Sequence, residues 1–424
     1  MKNLFVIGLI WLGCAIAWVI LGSTILVRTG ETSSALDNEV RLLWGPALTQ
    51  QPPHAWFLEP RRTREIVHTV DAQGRTVPTE VEKTVEVTVE LPLESSEVRG
   101  SLRLEHRRKG LVWFPTYGLD FHATYEFRND TEEKQDVQIA FPLGSADVVY
   151  DGFLVRDAQG QVVPATIRDN AAKWSKTFAP GERGAWTIAY RSRGTGQWHY
   201  QPTTGAGQVR NFNLSLDTDF ANVDFPPGSM SPSTHEVRGT GWHGEWRFGS
   251  LVSGSPIGID LPQKLNPGPL ASKITFFAPV GLLFFVFVVA VLAAAQRRDI
   301  HPLNYFFFGC AFFAFHLLFA YLVDHFAIAP SFAIAAAVSV FLVVTYARLF
   351  VGWRFALVEM ALSQGIYLVL FSFTFFWDGF TGLAITVGAI LTLFVIMQLT
   401  GRVSWRGRPA LAGIQGPGSG VQGQ

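Results

Sequence analysis

Residues 274–295 read ITFFAPVGLLFFVFVVAVLAAA, a run without a single charged side chain. At about 1.5 Å rise per residue, a helix of this length crosses the roughly 30 Å hydrocarbon core of a bilayer. Five further apolar runs have similar lengths: Leu4–Val27, Leu303–Val323, Ile328–Val351, Phe355–Trp377 and Phe380–Thr400. The sequence therefore predicts an α-helical membrane bundle of six transmembrane helices, one before a long polar segment and five (274–400) after it.

The basic residues of the membrane half fall on one side of the bilayer when Lys2 is placed in the cytoplasm. They are Arg297, Arg298, Arg348, Arg354, Arg402, Arg406 and Arg408. The loops on the other side, 324–327 and 377–379, contain neither Lys nor Arg. The positive-inside rule then predicts a bacterial inner (plasma) membrane protein with cytoplasmic N- and C-termini and a periplasmic segment 28–273. Leu4–Val27 is too long for a cleavable signal, and no A-x-A site follows, so it is predicted to be a signal anchor.

The polar segment 28–273 contains 26 basic and 30 acidic residues, a net charge of about −4. A mildly acidic domain argues against nucleic acid as a partner. Cys14 and Cys310 both lie in apolar runs, so the segment has no disulfide. At this size it can be held by its own hydrophobic core.

From about residue 64 the apolar residues alternate with polar ones. Thr84–Leu91 and Leu119–Phe127 are the clearest cases, and such alternation is typical of antiparallel sheets with one wet face. Turn-forming residues recur at short intervals, as at Pro180-Gly181-Glu182. We predict a periplasmic all-β domain, sandwich-like, of one or two units, the second option placing a break near 200–208. Residues 28–60 are interpreted as a linker, 263–271 as a hinge, and 401–424 as a mostly disordered cytoplasmic tail.

Polar side chains inside the apolar runs are the candidate sites, because burying them in a membrane is costly. Glu359 lies in the fifth run with Ser363 at i+4 and Gln364 beside it, and His316 lies in the third. Glu359 could handle a proton or cation, or could pair with Arg348 or Arg354. His316 is better explained as a helix–helix hydrogen bond than as a ligand.

No catalytic, cofactor or metal motif is recognisable. His199, His235 and His243 match no zinc spacing. The chain has no Gly-x-Ser-x-Gly, no phosphate-binding loop and no His-Glu-x-x-His. The protein is therefore not predicted to be an enzyme.

Short motifs border the membrane runs. Trp44-Gly45-Pro46 follows the first run and Leu261-Pro262 precedes the second; the third opens with a motif containing His301, Pro302 and Tyr305 and closes with Asp324-His325-Phe326. The last run ends with Met397, Thr400 and Arg402, with Trp405 just beyond. This pattern resembles the CreD family of bacterial inner membrane proteins. The resemblance implies one N-terminal helix, a large periplasmic domain, a C-terminal helical bundle and an association with envelope stress; it supplies no catalytic residues.

Two functions follow as hypotheses. The first is a non-enzymatic protein of envelope maintenance or envelope-stress response, whose partners are the lipid bilayer and an unidentified periplasmic protein or envelope component. The alternative is an ion- or solute-coupled transporter or channel that uses the five-helix bundle and Glu359. A membrane-embedded enzyme has the least support.

Overall fold

A computed structural model describes residues 2–70, 76–144, 147–203, 207–296, 298–377 and 379–401 of the chain. The chain divides into two compact units. Met1–Thr29 and Pro267–Gln424 form one, which we call the helical unit, and Gly30–Asn266 forms the other, the β unit.

Six helices are long and apolar enough to cross a bilayer, which confirms the six predicted apolar helices in the described part of the chain. They are α1 (Lys2–Trp44), α2 (Pro267–Ala295), α3 (Pro302–Leu322), α4 (Ile328–Val351), α5 (Trp353–Phe376) and α6 (Thr381–Thr400).

The first helix does not end at Val27, and the predicted linker 28–60 is wrong. Helix α1 continues to Trp44, and strands begin at Leu48. No proline interrupts residues 28–44, and an i,i+4 ion pair of 2.7 Å between Asp37 and Arg41 supports the extension. Gly45 ends the helix with φ +104° and donates its N–H to the Arg41 carbonyl at 2.8 Å.

The predicted hinge 263–271 is also partly wrong, because α2 begins at Pro267 rather than Ile274. Pro267 and Pro269 both lie in the first turn, where backbone N–H groups have no partner inside the helix anyway. Leu270, Ala271 and Ile274 are already buried in the helical unit. The helix therefore starts two turns earlier than its hydropathy indicates.

The core of the helical unit is rich in phenylalanine. Phe285 of α2 packs against Phe312 of α3, with ring centroids 4.7 Å apart. Phe332 of α4 stands edge-on to Phe315 and Phe319 of α3, at 5.4 and 5.7 Å. All five rings are buried, so α2, α3 and α4 are joined by tight aromatic packing.

The β unit contains fifteen strands in the part of the chain that the structure describes. They are β1 (Leu48–Gln50), β2 (His54–Val70), β3 (Thr76–Leu91), β4 (Leu93–Lys109), β5 (Val112–Arg128), β6 (Gln135–Pro142), β7 (Asp151–Asp157), β8 (Thr166–Arg168), β9 (Ala171–Phe178), β10 (Arg183–Thr195), β11 (Gln197–Tyr200), β12 (Gly207–Thr218), β13 (Thr234–Arg238), β14 (Gly241–Ser253) and β15 (Ile257–Asp260).

Three sheets form, of seven, five and three strands. The orders are β13-β14-β12-β4-β5-β10-β7, β3-β2-β6-β9-β8 and β1-β11-β15. All three contribute side chains to one hydrophobic core. In β5 the predicted alternation is confirmed, since Leu119, Phe121, Ala123, Tyr125 and Phe127 are all buried.

The prediction of antiparallel sheets is only partly correct, because two strand pairs are parallel. Strand β12 pairs with β4 in parallel, with Leu214 opposite Val98, and β1 pairs with β11 in parallel. About a hundred residues lie between β4 and β12, and still more between β1 and β11, which leaves ample length for the crossover that parallel strands require. Strand β12, which follows the suggested break near 200–208, thus pairs with a strand from the first half of the unit.

Strands β2 and β3 form a long hairpin with little support from the rest of its sheet. Among the described residues, β2 pairs with β6 only at His54–Trp56, while its pairing with β3 runs from Ala55 to Val70. The remaining length of about 14 residues reaches about 45 Å. Ile66 and Val81 are exposed there, and Val85, part of the Thr84–Leu91 alternation, is 40% exposed.

Candidate functional site

Helix α5 carries three of the four candidate polar residues, and its backbone departs from α-helical geometry around them. It contains π-helical turns at Ala356–Met360 and Gly365–Leu370 and ends in a 3-10 turn, Thr374–Phe376. Glu359 lies in the first π turn, and Ser363 and Gln364 lie between the two. π turns are rare and occur often at functional sites. Hydropathy alone gives no sign of them.

Glu359 is half-buried and bonded to a residue that the sequence did not single out. Its Oε1 accepts a hydrogen bond of 2.8 Å from Nε2 of Gln296, just after α2. Its Oε2 is buried without a partner. The expected pairing with Arg348 or Arg354 is absent among the described ion pairs, and the Arg348 guanidinium lies over the Trp353 ring instead, 5.7 Å from its centre. Glu359 therefore keeps one buried carboxylate oxygen that no side chain or backbone group in the described part of the chain bonds.

Gln364 is fully buried and links three helices. Its Nε2 donates to the Ser339 hydroxyl of α4 at 2.8 Å, and that hydroxyl donates to the Ala311 carbonyl of α3 at 2.6 Å. The Gln364 Oε1 has no partner. Ser363 is buried beside it. The chain gave Ser339 no distinguishing signal beyond a lone hydroxyl in an apolar helix.

His316 lies apart from these groups. Its Nδ1 is 2.9 Å from the Phe312 carbonyl of the same helix, and its ring stands edge-on to Trp18 of α1 at 5.7 Å. Its Nε2 is buried without a partner, as is the Trp18 indole nitrogen. The predicted helix–helix hydrogen bond is thus wrong: the contact with α1 is a ring contact. In the described residues no hydrogen bond joins His316 to Glu359 or Gln364, so these groups do not form a continuous relay.

The motif positions at the start of α3 are structural. His301 caps the helix, its Nδ1 accepting the Leu303 N–H at 3.2 Å, and Pro302 occupies the first turn. Tyr305 is buried and edge-on to Phe308, 6.0 Å between centroids. The sequence motif therefore defines how α3 begins.

The motif at the end of α3 binds the first helix. Asp324 pairs with Arg28 of α1 at 2.9 Å, and Arg28 also donates to the Ala320 carbonyl and lies over the Tyr321 ring. His325 lies in the following turn, where its N–H donates to the Leu322 carbonyl. This cluster fastens α1 to the end of α3.

The motif at the end of α6 is described only in part. Met397 is exposed, and its carbonyl accepts the Gly401 N–H at 3.0 Å. The Thr400 side chain, Arg402 and Trp405 lie outside the described residues, as do Arg297 and the tail from residue 402.

The β unit contains a cluster of buried tyrosines rather than a reactive centre. The Tyr125 and Tyr200 hydroxyls are 3.1 Å apart, and Tyr190 donates to Gln50 Oε1 at 2.7 Å. Burial raises the pKa of Tyr125 and Tyr190 well above the usual value, so both stay protonated.

The histidines of the β unit do not converge. His243 bonds Asp217 at 2.7 Å, while His235 stacks on Trp242 at 6.3 Å. His199 lies in β11, where burial lowers the pKa of its imidazole. The described residues contain no group of three or more His, Cys, Asp or Glu side chains placed to hold a metal.

A cavity of about 930 Å³ in the β unit has a mixed lining that includes Trp113, Gln197, Asp224, Asp260 and Asn266. Asp260 accepts a hydrogen bond of 2.7 Å from the Gln197 amide, and Asn266 bonds both the N–H and the C=O of Trp113. Such a polar, roomy cleft can take up a polar ligand or a segment of a partner.

A family model described as inner membrane protein CreD matches residues 181–406, from the turn before β10 to beyond α6. The chain belongs to the CreD family. The CreD match covers all the motif positions from His301 to Trp405 and also the second part of the β unit, including Asp224 and Asp260 of its cavity. Membership of CreD establishes a membrane protein and is consistent with the six apolar helices.

Comparisons beyond CreD add little. No curated protein matches the chain significantly. A solved structure of a Legionella pneumophila protein, provisionally described as nutrient-binding, aligns with 52% of this chain and 80% of its own at 11% identity. Its TM-score of 0.28 is too low to support any conclusion about this chain.

Proposed function

We propose that the protein is a non-enzymatic, multi-pass inner membrane protein that acts in cell-envelope maintenance or in the response to envelope stress. The observation that carries the proposal is the phenylalanine core of the helical unit, where Phe285, Phe312, Phe315, Phe319 and Phe332 fill the space between α2, α3 and α4. Close-packed aromatic interiors have few voids large enough for a solute. A bundle packed in this way is suited to anchoring the β unit.

In this proposal both termini are cytoplasmic and the β unit lies in the periplasm. The support is the one-sided distribution of arginines, together with Trp353 and Trp377 at helix ends, where tryptophan settles at the membrane interface. We propose that the β unit is a sandwich, since its seven- and five-stranded sheets bury side chains in one core.

The partner in this proposal is a periplasmic protein or a component of the envelope, and the cavity beside Asp224 and Asp260 is the place we propose for its contact. The cavity offers carboxylates, amides and the Trp113 ring. Its lining suits a polar ligand that donates hydrogen bonds.

A deletion strain tests the function. We expect loss of the gene to sensitise cells to cell-wall-active antibiotics and wild-type expression to restore tolerance. A deletion without any phenotype across envelope stresses would contradict the proposal. Asp260→Asn, which keeps the side-chain shape, tests the cavity: it should reduce complementation if that carboxylate contacts the partner. The matched control is Asp136→Asn on the exposed face of β6.

The second candidate function is ion- or solute-coupled transport through the helical unit. The observation that favours it is the unpartnered Oε2 of Glu359 within a π turn of α5. An intramembrane carboxylate marks a possible ion pathway.

Glu359→Gln separates the two functions. An amide oxygen can still accept the bond from Gln296, so for an anchor we expect complementation to persist and the stability to change by about 1 kcal/mol or less. For a transporter, complementation should vanish while the melting temperature in detergent stays the same. Gln296→Ala is the control, since it removes the same hydrogen bond but keeps the carboxylate.

A further inference from the structure

Helix α6 packs loosely on the helical unit. A groove of about 500 Å³ lies between α6, the second half of α5 and Phe284 of α2. Of the α6 side chains that the structure describes, only Thr392 and Ile396 are buried. The groove lies where α6 carries small residues, Ala384, Gly388 and Ala389. It is flanked by exposed apolar side chains on both helices, which are Ile366, Leu370, Leu383, Val387 and Leu391.

The lining offers no charge, and its hydroxyl groups are already bonded within the protein. Tyr367 and Thr392 are bonded to each other at 2.9 Å, Thr392 also donates to the Gly388 carbonyl at 2.7 Å, and Thr374 donates to the Phe371 carbonyl at 2.7 Å. A polar solute would find no hydroxyl to replace its hydration, and apolar cavities of this kind do not hold water. The chemistry of the lining selects hydrocarbon.

The dimensions of the groove match one leaflet. From Phe380, just before α6, to Thr392 the chain rises about 18 Å. This is slightly more than half of the roughly 30 Å hydrocarbon core. The Tyr367–Thr392 pair lies at the deep end and Trp377 at the other end of the groove, beside the start of α6. Tryptophan at such a position lies at the level of lipid head groups.

We propose that this groove binds one acyl chain of a membrane phospholipid, with the chain terminus near Tyr367 and Thr392 and the glycerol end beside Trp377. The lipid fills the space between α5 and α6 and completes the packing of α6. The occupant follows from the surroundings, because both walls belong to apolar helices of a membrane protein and the chain of a leaflet lipid is the hydrocarbon that meets the opening.

The test is to fill the groove with a larger side chain at Gly388, which lines its wall. A Cβ built on Gly388 meets no atom within 4 Å, so Gly388→Phe adds volume without an initial backbone clash. Gly382 on the same helix has the same freedom but is not part of the lining, so Gly382→Phe is the matched control. The full chain and both variants are placed in nanodiscs that contain phosphatidylcholine spin-labelled on its acyl chain.

We expect the electron paramagnetic resonance spectrum to show one more immobilised lipid per chain in the wild type and in Gly382→Phe than in Gly388→Phe. Equal immobilised fractions in all three would overturn the proposal. If Gly388→Phe instead changes the oligomeric state with no change in bound lipid, the groove is an interface between copies and the proposal is wrong.

A second measurement does not depend on the folding of Gly388→Phe. Phosphatidylcholine brominated on its acyl chain close to the glycerol should quench the fluorescence assigned to Trp377, obtained as the difference between the wild type and Trp377→Phe. A Gly388→Leu variant, which adds less volume, should reduce that quenching. Quenching that is the same in Gly388→Leu and in the wild type would refute an acyl chain in the groove.

Discussion

Gln364 is a primary amide with no exposed surface inside an apolar helix. The amide nitrogen is hydrogen-bonded: Nε2 donates to the Ser339 hydroxyl, which in turn donates to the Ala311 carbonyl. The amide oxygen Oε1 is buried and has no hydrogen-bond partner, which lowers the free energy of unfolding by about 1–3 kcal/mol. The residue thus joins three helices, and its unpaired oxygen offsets part of the stability that this link contributes.

This imbalance predicts the order of stability of two variants. Gln364→Ala leaves a cavity and should destabilise the helical unit by about 2–4 kcal/mol. Gln364→Met has nearly the same length and removes the unpaired oxygen, so it should cost less than about 1.5 kcal/mol. Thermal unfolding in detergent measures both. A methionine variant as unstable as the alanine variant would show that the link to Ser339 outweighs the unpaired oxygen.

At this scale the sequence predicted which residues are unusual but not what they contact. Glu359, Gln364 and His316 stand out because they are polar in apolar runs. The contacts of Glu359 and Gln364 depend on Gln296 and Ser339, which lie 63 and 25 residues away, and on π turns that rotate the faces of α5. Nearness along the chain favoured Arg348 and Arg354 for Glu359, and tertiary packing decided otherwise.

Among the elements, the β2–β3 hairpin has the least support. Beyond Trp56 the described residues of β2 pair only with β3, and an isolated two-stranded ribbon is marginally stable in water. Its ion pairs, Arg64 with Glu80 at 3.7 Å and Lys83 with Glu65 at 3.5 Å, are exposed and contribute little. The hairpin should open locally far more often than the centre of the seven-stranded sheet.

Limited proteolysis of the full chain tests this expectation. Trypsin should cut at Arg64 and Lys83 before it cuts at Arg99 or Arg103, which lie in β4 between β5 and β12. Mass spectrometry of the first fragments gives the order. Cleavage in β4 at the same rate would mean that the hairpin is held by contacts that the strand pairing does not reveal.

Local rules predicted the elements where periodicity is regular and failed where it changes. The alternation in Leu119–Phe127 correctly identified a strand with one buried face, because β5 is flanked by β4 and β10 along its length. The extension of α1 was missed because residues 28–44 are polar, and hydropathy measures membrane affinity rather than helicity. The parallel pairing of β4 and β12 depends on distant segments and has no local signal.

For the whole molecule, the six apolar helices and the arginine distribution predict a definite threading through the membrane. Reporter fusions at residues 200, 325 and 410 should report periplasm, periplasm and cytoplasm, respectively. The physical reason is the cost of moving cytoplasmic arginines across the bilayer. A cytoplasmic signal at residue 200 would invert the entire threading, and a periplasmic signal at 410 would mean that one of the five later helices does not cross.

The ion pair between Arg28 and Asp324 joins residues that leave the ribosome at different times. The two residues are 296 positions apart in the sequence, so at about 5–20 residues per second Asp324 is synthesised about 15–60 s after Arg28. The β unit, Gly30–Asn266, is completed during that interval. Translation therefore gives the β unit time to fold first, and any exposed face of α1 that later contacts α3 needs lipid or an insertion factor to cover it until α3 arrives.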